Sequence, residues 1–347
     1  MSQKPLDYQA SGVSIAAQDE AIAAFRRDVE STHGPEVVAG VGAFGAAFQP
    51  SLFGISAPVL VNSTDSLGTK TIVHSRFGTW ENAGRDVVGC VVNDIICSGA
   101  RPLYFLDYLG INKVVPEQIH QMVGKGIAAA CREIGCALIG GEIAEMRDVY
   151  KPGDFDLAGF AVGMVDRSRM LDGSACREGS VLIGLRSNGV HCNGFSLVRA
   201  AFSELNHDQW TCHNEALGSS LAHALLQPTV CYANAVGEAC NAGLLQAAAH
   251  ISGGGLQDNV PRVVPDGLDV ELDRAAISVL PVFDIIQSHG NISRDEMWHV
   301  FNMGIGFVVV VSPEAVDDVM RICGEHSPQL IGRLTRGSGA AELRFRD

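Results

Sequence analysis

The sequence predicts a mixed α/β protein of two domains, on the strength of three observations. Helical and strand-like patterns alternate along both halves of the chain. The strand connections include short ones as well as helical crossovers, so the sheets are not simply parallel. The 347 residues, 47% of them hydrophobic and 18% charged, are enough to build two cores. We place the domains at 1–168 and 169–347, because a charged, glycine-bearing stretch follows Asp166.

In the N-terminal half, the pattern alternates between short apolar runs and helical stripes. Proline in the first turn favours the start of a helix at Pro116. The predicted elements are a strand at Pro58–Val61, a helix at Asp86–Ser98, a strand at Leu103–Leu109, a helix from Pro116, a short strand at Ala137–Ile139 and a strand at Phe155–Val165.

In the C-terminal half, a second series of strands and helices begins at Val181. Ser312 and Pro313 are typical of a helix start. The predicted elements are a strand at Val181–Leu185, a helix at Gly194–Leu205, a mostly helical region at Leu221–Leu245, a strand at Gly304–Val311, a helix to about Cys323, and strands at Leu330–Leu334 and Ala341–Phe345.

Composition excludes several classes of partner. The formal net charge is -14, and no run of lysine and arginine offers a track for a phosphate backbone, which argues against nucleic acid and anionic membranes. The first residues lack the apolar core of a signal peptide, and no apolar stretch is long enough for a membrane span. The ten cysteines are scattered without a Cys-x-x-Cys pair, which is typical of a reducing compartment. We therefore expect a cytoplasmic protein.

The segment from Asn62 to Lys70 is the first candidate for chemistry. A strand-like run ends there in a carboxylate at Asp65, a glycine at Gly68 and the ammonium of Lys70. An Mg²⁺-bound nucleotide phosphate needs an acidic oxygen ligand, backbone N–H groups that approach closely, and positive charge. The spacing matches neither the Walker A loop nor the dinucleotide fingerprint. An ordinary polar turn at the end of a strand therefore remains equally open.

Two further carboxylates stand in apolar surroundings. Asp94 interrupts an apolar helix, so it is either a ligand or a solvated residue on the opposite face. Glu142 follows Gly140 and Gly141 after a buried strand, and the two glycines leave room for another molecule. Glu142 could then bind a hydroxyl group or Mg²⁺, although an exposed tight turn fits the same residues.

Two loops of the second half could hold an anion. His191 lies between glycine turns directly before a predicted helix, where exposed N–H groups suit an anion and an imidazole can move protons near neutral pH. A lone histidine is more often structural, but the residues around His191 offer no apolar face in which we expect it to be buried. The run Gly253–Gly255 is a candidate phosphate nest, and it is equally compatible with a flexible loop.

The motifs form an ordered set over nearly the whole chain. The first group consists of Tyr8, Gly12, Val13 and Ile15; Gly42, Phe44 and Gly45; Thr64, Asp65, Gly68, Thr69 and Lys70; Val92–Ile95; Phe105–Tyr108; and Gly140, Gly141, Glu142, Ala144, Glu145 and Met146. The second group consists of Asp156 and Ala158–Phe160; His191 and Asn193–Arg199; Gly253–Gly255; Asn259, Pro261 and Arg262; and Glu296, Met297, Phe301, Asn302, Gly304 and Gly306. This set resembles the phosphoribosylformylglycinamidine cyclo-ligases, or aminoimidazole ribonucleotide synthetases, of purine biosynthesis. They belong to an ATP-binding superfamily shared with selenophosphate synthetase and formylglycinamidine ribonucleotide synthetase.

The resemblance implies an ATP-dependent ligase that closes the ring of formylglycinamidine ribonucleotide to give 5-aminoimidazole ribonucleotide, ADP and phosphate. The formyl oxygen would be phosphorylated, an amidine nitrogen would attack the resulting carbon, and phosphate would leave. It also implies a homodimer whose N-terminal sheets pair. Aligning the reactants and neutralising the moving phosphoryl group would be the main work of the protein.

The resemblance also implies roles for individual residues. Asp65 and Asp94 would hold Mg²⁺, Lys70 would pair with an ATP phosphate, and Asp65, Lys70 and His191 would be catalytic. The residues implied at ATP are Lys70, Asp94, Asp107, Gly140, Gly141 and Glu142. The residues implied at the ribonucleotide are Ser187, His191, Asn193, Gly253, Gly254, Gly255 and Asn259, with the glycines around its 5′-phosphate.

Some positions depart from the family pattern. Ser66 and Leu67 replace Gly and Val, Ile143 replaces Thr, Arg147 replaces Pro, and Arg26 replaces Lys. Arginine keeps the charge of lysine but not its geometry. These changes keep a second hypothesis open, namely a paralogue of the same fold that activates a different small amide or phosphate acceptor with ATP. A catalytically silent nucleotide-binding protein is a third hypothesis, which the retained carboxylates oppose.

Overall fold

The computed structural model describes residues 14–346, so the motif residues Tyr8, Gly12 and Val13 lie outside the described part. Its α-helices are α1 Ile15–Glu30, α2 Lys70–Phe77, α3 Trp80–Ile96, α4 Pro116–Ile119, α5 Ala128–Glu133, α6 Phe195–Ala201, α7 His207–Thr211, α8 Leu221–Leu225, α9 Ala233–Asn241, α10 Gly255–Asn259, α11 Pro281–Gly290, α12 Arg294–Val300 and α13 Val316–Ile322. A π-helical segment, His120–Ile127, joins α4 to α5. None of the described helices is long and apolar enough to cross a membrane.

The strands are β1 Val37–Ala39, β2 Ala47–Phe48, β3 Pro58–Ser66, β4 Arg101–Ile111, β5 Ala137–Glu145, β6 Phe155–Asp166, β7 Val181–Arg186, β8 His213–Asn214, β9 Ser219–Ser220, β10 Leu245–His250, β11 Leu268–Asp273, β12 Ile305–Val311, β13 Gln329–Arg336 and β14 Leu343–Arg346. One sheet has the order β3-β6-β4-β5, and a larger one has the order β10-β12-β7-β13-β11-β14. The larger sheet combines antiparallel pairs with the parallel pair β11–β14. The predicted mixed α/β fold is confirmed.

Two of the predicted strands are longer than the sequence pattern indicated. β3 continues from Pro58 to Ser66, so Asp65 lies within a strand rather than in a loop after it. β5 continues from Ala137 to Glu145 and includes the two glycines that we placed in a turn. Local propensity disfavours glycine in strands, but backbone pairing with a neighbouring strand outweighs it.

The neighbour that holds the glycines in β5 is β4, which pairs with it in parallel. Gly140 lies opposite Leu106, Gly141 opposite Asp107 and Glu142 opposite Tyr108. A Cβ at Gly141 would overlap Oδ1 of Asp107. Glycine is therefore needed at this position to leave space for a carboxyl group, and not to form a turn.

The predicted helical region at 221–245 contains two short helices, α8 and α9, and it ends where β10 begins. In the larger sheet, β12 is an interior strand, and all seven of its residues are buried. An apolar run without alternation, as in Phe307–Val311, is what a strand covered on both faces requires. β12 pairs with β10 on one side and with β7 on the other.

The described chain divides into two compact units. The first comprises residues 14–51, Thr64–Val91 and Leu103–Val162, and the second comprises Leu52–Ser63, Val92–Pro102 and 163–346. The second unit therefore takes two short segments from the N-terminal half of the sequence. One of these segments carries Asp94, so Asp94 and β10 belong to the same unit. The domain limits 1–168 and 169–347 stay a prediction.

Candidate active site

Lys70 is fully buried at the start of α2, in the first unit. Its Nζ lies 2.7 Å from Oδ2 of Asp86, and Nε2 of His74 lies 2.9 Å from the same oxygen. Nδ1 of His74 is 2.7 Å from the hydroxyl oxygen of Thr79. We call Lys70, His74 and Asp86 the buried triad. Its lysine is already paired with a carboxylate, so a role at an ATP phosphate would require that pair to be broken or shared.

The pKa directions in the buried triad follow from its burial. Removal from water acts to raise the pKa of Asp86, but the charge of Lys70 and the bonds from its two partners outweigh this and lower it. Burial lowers the pKa of His74, and Lys70 adds to the effect, against the opposing influence of Asp86. The triad therefore holds one positive and one negative charge with a neutral imidazole at neutral pH.

The segment before Lys70 is held by local bonds. Oδ1 of Asp65 accepts a 2.7 Å bond from the backbone N–H of Ser66. Leu67 is buried and donates its backbone N–H to the carbonyl of Leu157 at 3.2 Å. Gly68 has a positive φ of 53°, whereas the φ of Ser66 is not positive. The serine at position 66 is therefore compatible with the backbone, because the left-handed residue of this segment is Gly68.

A cavity of about 680 Å³ lies over β5 in the first unit, and it brings together four of the sequence-predicted ATP residues. They are Asp107, Gly140, Gly141 and Glu142. The same four residues line a second cavity of about 180 Å³, whose wall includes Ile22, Phe25 and Val29 of α1. Apolar walls with a few convergent polar groups are typical of a small-molecule site.

Asp107 has an unusual titration in this cavity. Asp107 is 9% exposed, and burial raises the pKa of its carboxyl group to about 7. Its neighbour Glu142 is exposed on the adjacent strand. The cavity therefore contains one acidic group whose charge changes near neutral pH.

The departures near this cavity have simple structural accounts. Arg147 donates to Oε1 of Glu145 at 3.1 Å, and Glu145 in turn accepts the backbone N–H of Ser14 at 3.1 Å. Arg26 faces outwards, 46% exposed, with Glu30 at 3.8 Å. Ile143 lines the smaller cavity.

A third cavity, of about 320 Å³, lies in the second unit, and we call it the Asp94 cavity. Its lining consists of Asn62, Ser63, Asp94, Cys97, Ala249, His250, Ser252, Asn259, Arg262 and Val263. The structure thus joins the sequence-predicted metal ligand Asp94 with the sequence-predicted substrate residue Asn259. Neighbouring Asn93 is buried and bonds to the backbone of Val230 and Tyr232, so its role is structural.

Asp94 is held by two side chains in this cavity. Nδ1 of His250 lies 2.9 Å from Oδ1, and the hydroxyl of Ser63 donates to Oδ2 at 3.0 Å. Because an ionised carboxylate only accepts, Nδ1 of His250 carries the proton. Burial acts to raise the pKa of Asp94, but the bonds from His250 and Ser63 and the charge of Arg262 outweigh it and lower the pKa. Asp94 is therefore ionised at neutral pH.

His191 is 2% exposed and has a positive φ of 62°, which is unusual for a residue with a side chain. Its Nε2 accepts the backbone N–H of Val230 at 3.4 Å, and its ring lies 6.5 Å from that of Tyr232. Our view that this histidine lacks buried surroundings is therefore wrong, since tertiary packing covers it. Its place at the substrate stays a prediction.

The remaining substrate candidates surround the start of α10. Asn259 donates to the carbonyls of Gly253 and Gly255 at 3.0 and 2.8 Å. A Cβ at Gly253 would lie 3.4 Å from Oδ1 of Asn193, so Asn193 borders the same loop. Gly254 has a φ of 90° and precedes the helix. Elsewhere in the unit, Ser187 is buried and donates to Asn302 at 3.0 Å.

The sequence assigned no role to His250 or Arg262, although Arg262 lies in one of the quoted motifs. Neither residue has a local pattern that marks it as functional, because each meets Asp94 or Asn259 only after folding. A usable signal was present in the positions of His250 and Arg262 on either side of the candidate phosphate nest Gly253–Gly255.

Mg²⁺ fits the donor chemistry of the predicted ligands. Among residues 14–346, no group of three or more His, Cys, Asp or Glu side chains could hold a metal ion by itself. Mg²⁺ in phosphate-transferring sites is bound through one or two carboxylates, with substrate phosphates and water completing the shell. Asp65, in the first unit, and Asp94, in the second, each belong to this class of ligand.

Two family models match successive parts of the chain. Residues 52–165 match the family model of the AIR synthase related protein, N-terminal domain, and residues 177–343 match the C-terminal domain. The chain has the fold of thiamine-monophosphate kinase from Stenotrophomonas maltophilia, with a TM-score of 0.68, 18% identity, and coverage of 93% of this chain and 95% of that one. It also has the fold of the hydrogenase maturation protein HypE in complex with ATP, with a TM-score of 0.65, 14% identity, and coverage of 96% and 93%.

Curated relatives are closer in sequence. The phosphoribosylformylglycinamidine cyclo-ligase of Carboxydothermus hydrogenoformans is 41% identical over 334 residues, which cover 96% of this chain and 97% of that protein. The cyclo-ligase of Desulfitobacterium hafniense is 45% identical over 310 residues, covering 89% and 90%. Identity at this level over almost the full length of both proteins shows common family membership. The chain therefore belongs to the phosphoribosylformylglycinamidine cyclo-ligase family.

Proposed function

We propose that this protein is an ATP-dependent cyclo-ligase that converts formylglycinamidine ribonucleotide to 5-aminoimidazole ribonucleotide in purine biosynthesis. The observation that carries the proposal is the 41–45% identity to cyclo-ligases over nearly the whole chain. The paralogue hypothesis is not favoured, because these relatives all bear the cyclo-ligase name and the departures from the family pattern are accommodated by the fold.

The reaction needs a leaving group at the formyl carbon. The formyl oxygen attacks the γ-phosphorus of ATP, the bond to the bridging oxygen breaks, and ADP leaves with the electron pair. An amidine nitrogen then attacks the activated carbon and loses a proton, while phosphate leaves with the electrons of the C–O bond. The protein contributes alignment of the two reactants and neutralisation of charge.

For ATP, we propose the cavity over β5 as part of the binding site. Its apolar wall on α1 suits a purine base, and Asp107, Gly140, Gly141 and Glu142 supply polar contacts and room for close approach. HypE, which shares this fold, has been solved in complex with ATP. Asp65 and Asp94 would hold Mg²⁺, which supplies charge neutralisation at the phosphates when bound. Lys70 would add a positive charge there only if its buried pair with Asp86 is shared with the phosphate.

For the ribonucleotide, we propose the loops of the second unit. The loop Gly253–Gly255, with Asn259 and Asn193 beside it, would bind the 5′-phosphate, and its backbone N–H groups would donate to the phosphate oxygens. His191 would stabilise charge or move a proton at the formyl oxygen, and Ser187 would also contact the ribonucleotide. We also propose a cytoplasmic homodimer in which the N-terminal sheets pair.

The direct test is a coupled assay of ADP release with formylglycinamidine ribonucleotide, together with identification of the product. We expect ADP and 5-aminoimidazole ribonucleotide in equal amounts, and no ADP when the ribonucleotide is omitted. Release of ADP only with another amide or phosphate acceptor would establish the paralogue instead.

The role of His191 has its own test within this assay. We expect His191→Ala to reduce kcat by about 10²-fold, the usual contribution of a positioned acid or base, and to leave ATP affinity unchanged. The variants His191→Phe and His191→Asn separate the effect of lost packing from the effect of lost acid–base chemistry. Wild-type kcat in all three variants would remove His191 from the mechanism.

A further inference from the structure

The Asp94 cavity collects an unusual combination of groups for its volume of about 320 Å³. It contains a carboxylate at Asp94, an imidazole at His250 and a guanidinium at Arg262, beside hydroxyl and amide groups. A purely structural polar cluster would be sealed from solvent, but this one borders an open cavity. Arg262 itself is exposed.

Arg262 is tethered in a fixed direction. Its Nη1 donates to Oδ1 of Asn259 at 3.2 Å. Asn259 is only 3% exposed, and its amide nitrogen is bound to the carbonyls of Gly253 and Gly255. A buried amide therefore holds one arm of the guanidinium, and the planar fork keeps further N–H groups for a ligand.

Arg262 and Asp94 line the same cavity, so a ligand bound there meets a guanidinium and a carboxylate together. A phosphoryl group with its Mg²⁺ presents the complementary pair, since the metal binds a carboxylate and the phosphoryl oxygens accept from a guanidinium. The ligand that suits both ends of this cavity is a metal-bound phosphoryl group.

We propose that Arg262 is a catalytic residue that binds the phosphoryl group in transfer from ATP to the formyl oxygen. This rests on the proposed function. In that step the formyl oxygen forms a bond to the γ-phosphorus and the bond to the bridging oxygen of ADP breaks. Between these two events the charge is spread over the three equatorial oxygens, and a preorganised guanidinium stabilises it there.

The competing assignment is that Arg262 binds the 5′-phosphate of the ribonucleotide, because Asn259 borders the loop proposed for that phosphate. The two assignments differ in one measurable respect. An arginine on the 5′-phosphate acts only on substrates that carry it, whereas an arginine on the transferred phosphoryl group acts on every substrate that is phosphorylated.

The experiment compares two substrates and four proteins. The substrates are formylglycinamidine ribonucleotide and the corresponding riboside, which lacks the 5′-phosphate. The proteins are wild type, Arg262→Ala and Arg262→Lys, with Arg321→Ala on an exposed helix face as the matched control, since its side chain is 71% exposed. Thermal unfolding and ATP affinity are measured for each protein, and free guanidinium is added to test rescue of Arg262→Ala.

We expect Arg262→Ala to lower kcat by about 10³-fold with the ribonucleotide, at the lower end of known arginine contributions to phosphoryl transfer. The same factor is expected with the riboside, with ATP affinity and unfolding temperature unchanged. Arg262→Lys should retain part of the activity, and guanidinium should restore part of that lost in Arg262→Ala.

Two results would overturn the proposal. Unchanged kcat in Arg262→Ala would exclude any catalytic role. A loss with the ribonucleotide that disappears with the riboside would assign Arg262 to the 5′-phosphate. Failure of the wild-type protein to form 5-aminoimidazole ribonucleotide is a separate outcome, because it would reject the proposed function before any variant is compared.

Discussion

The buried triad of the first unit and the Asp94 cavity of the second unit contain similar groups in opposite surroundings. Both have an aspartate that accepts from a histidine, and both have a basic side chain nearby. The triad of Lys70, His74 and Asp86 is 0% exposed. In the Asp94 cavity, the side chain of Asp94 is 42% exposed although His250 is 5% exposed.

This difference in exposure distinguishes charged groups that are buried and paired within the fold from charged groups that are accessible to a ligand. In the triad each charged atom already faces its counterion, so no site remains for a ligand without loss of a buried pair. In the Asp94 cavity, His250 and Ser63 orient the carboxylate, and its side chain still remains partly exposed to the cavity. The same residue types can therefore stabilise a fold in one region and bind a substrate in another.

Removal of the buried carboxylate should have the largest effect. We expect Asp86→Asn to reduce the free energy of unfolding by about 3–5 kcal/mol, because Lys70 would be left as an uncompensated buried charge. The measurement is equilibrium unfolding in denaturant. The control is Asp28→Asn, since Asp28 meets Lys125 and His120 at 3.4 and 2.9 Å but is 25% exposed. That surface pair should contribute about 0–1 kcal/mol.

The double variant Lys70→Met with Asp86→Leu removes both charges and should recover much of the lost stability, because no buried charge remains. If Asp86→Asn were as stable as the wild type, the triad would not be structural, and Lys70 would be available for the phosphate of ATP.

Substitution in the open cavity should affect activity and not the fold. We expect Asp94→Asn to lower kcat by about 10²–10³-fold at fixed Mg²⁺, because an amide is a poor ligand for a hard cation. Raising Mg²⁺ should recover part of the loss, and Mg²⁺-dependent ATP binding measured by calorimetry should weaken. Asp295→Asn, at a side chain that is 91% exposed, is the matched control.

Unfolding of Asp94→Asn in denaturant should match the wild type within about 0.5 kcal/mol, as for most partly exposed substitutions. A large loss of stability with normal Mg²⁺ dependence would place Asp94 with the structural charges and would remove the contrast with the triad.

The smallest expected effect concerns the pH dependence of stability at Asp107. Burial raises the pKa of this carboxyl group to about 7 from an ordinary value of 3.8. Its neutral form therefore favours folding fully below the ordinary value, and this contribution is lost as the pH rises towards 7. We expect wild-type stability to fall relative to Asp107→Asn by about 1–2 kcal/mol between pH 4 and pH 7, with water in the open cavity limiting the effect.

The check is denaturant unfolding of both proteins across this pH range. Parallel curves would show that Asp107 titrates at its ordinary pKa, as a well-solvated carboxylate does. Asp107 would then provide a permanent charge in the cavity over β5.

Much of the fold could be predicted because strand and helix periods are local. The apolar run of β12 and the start of the helix after Val115 lie where the pattern placed them. The extent of β3 and β5 could not be predicted, since Asp65, Gly140 and Gly141 are poor strand residues that are held in place by pairing with other strands. Sequence alone indicates glycine as a turn, whereas Gly141 is required by the carboxyl group of Asp107 on β4.

The amino-acid order alone determined the alternation of helices and strands, the family motifs and the residue types available for chemistry. Only the tertiary structure decided which charged groups are paired with a buried counterion and which remain accessible to a ligand. Lys70 and Asp94 were both candidate ligands in the sequence. In the structure Lys70 is buried in an ion pair with Asp86, whereas Asp94 borders an open cavity together with Arg262. The physical reason is that burial and counterion contacts depend on residues distant along the chain, and these set the electrostatic cost of binding a ligand.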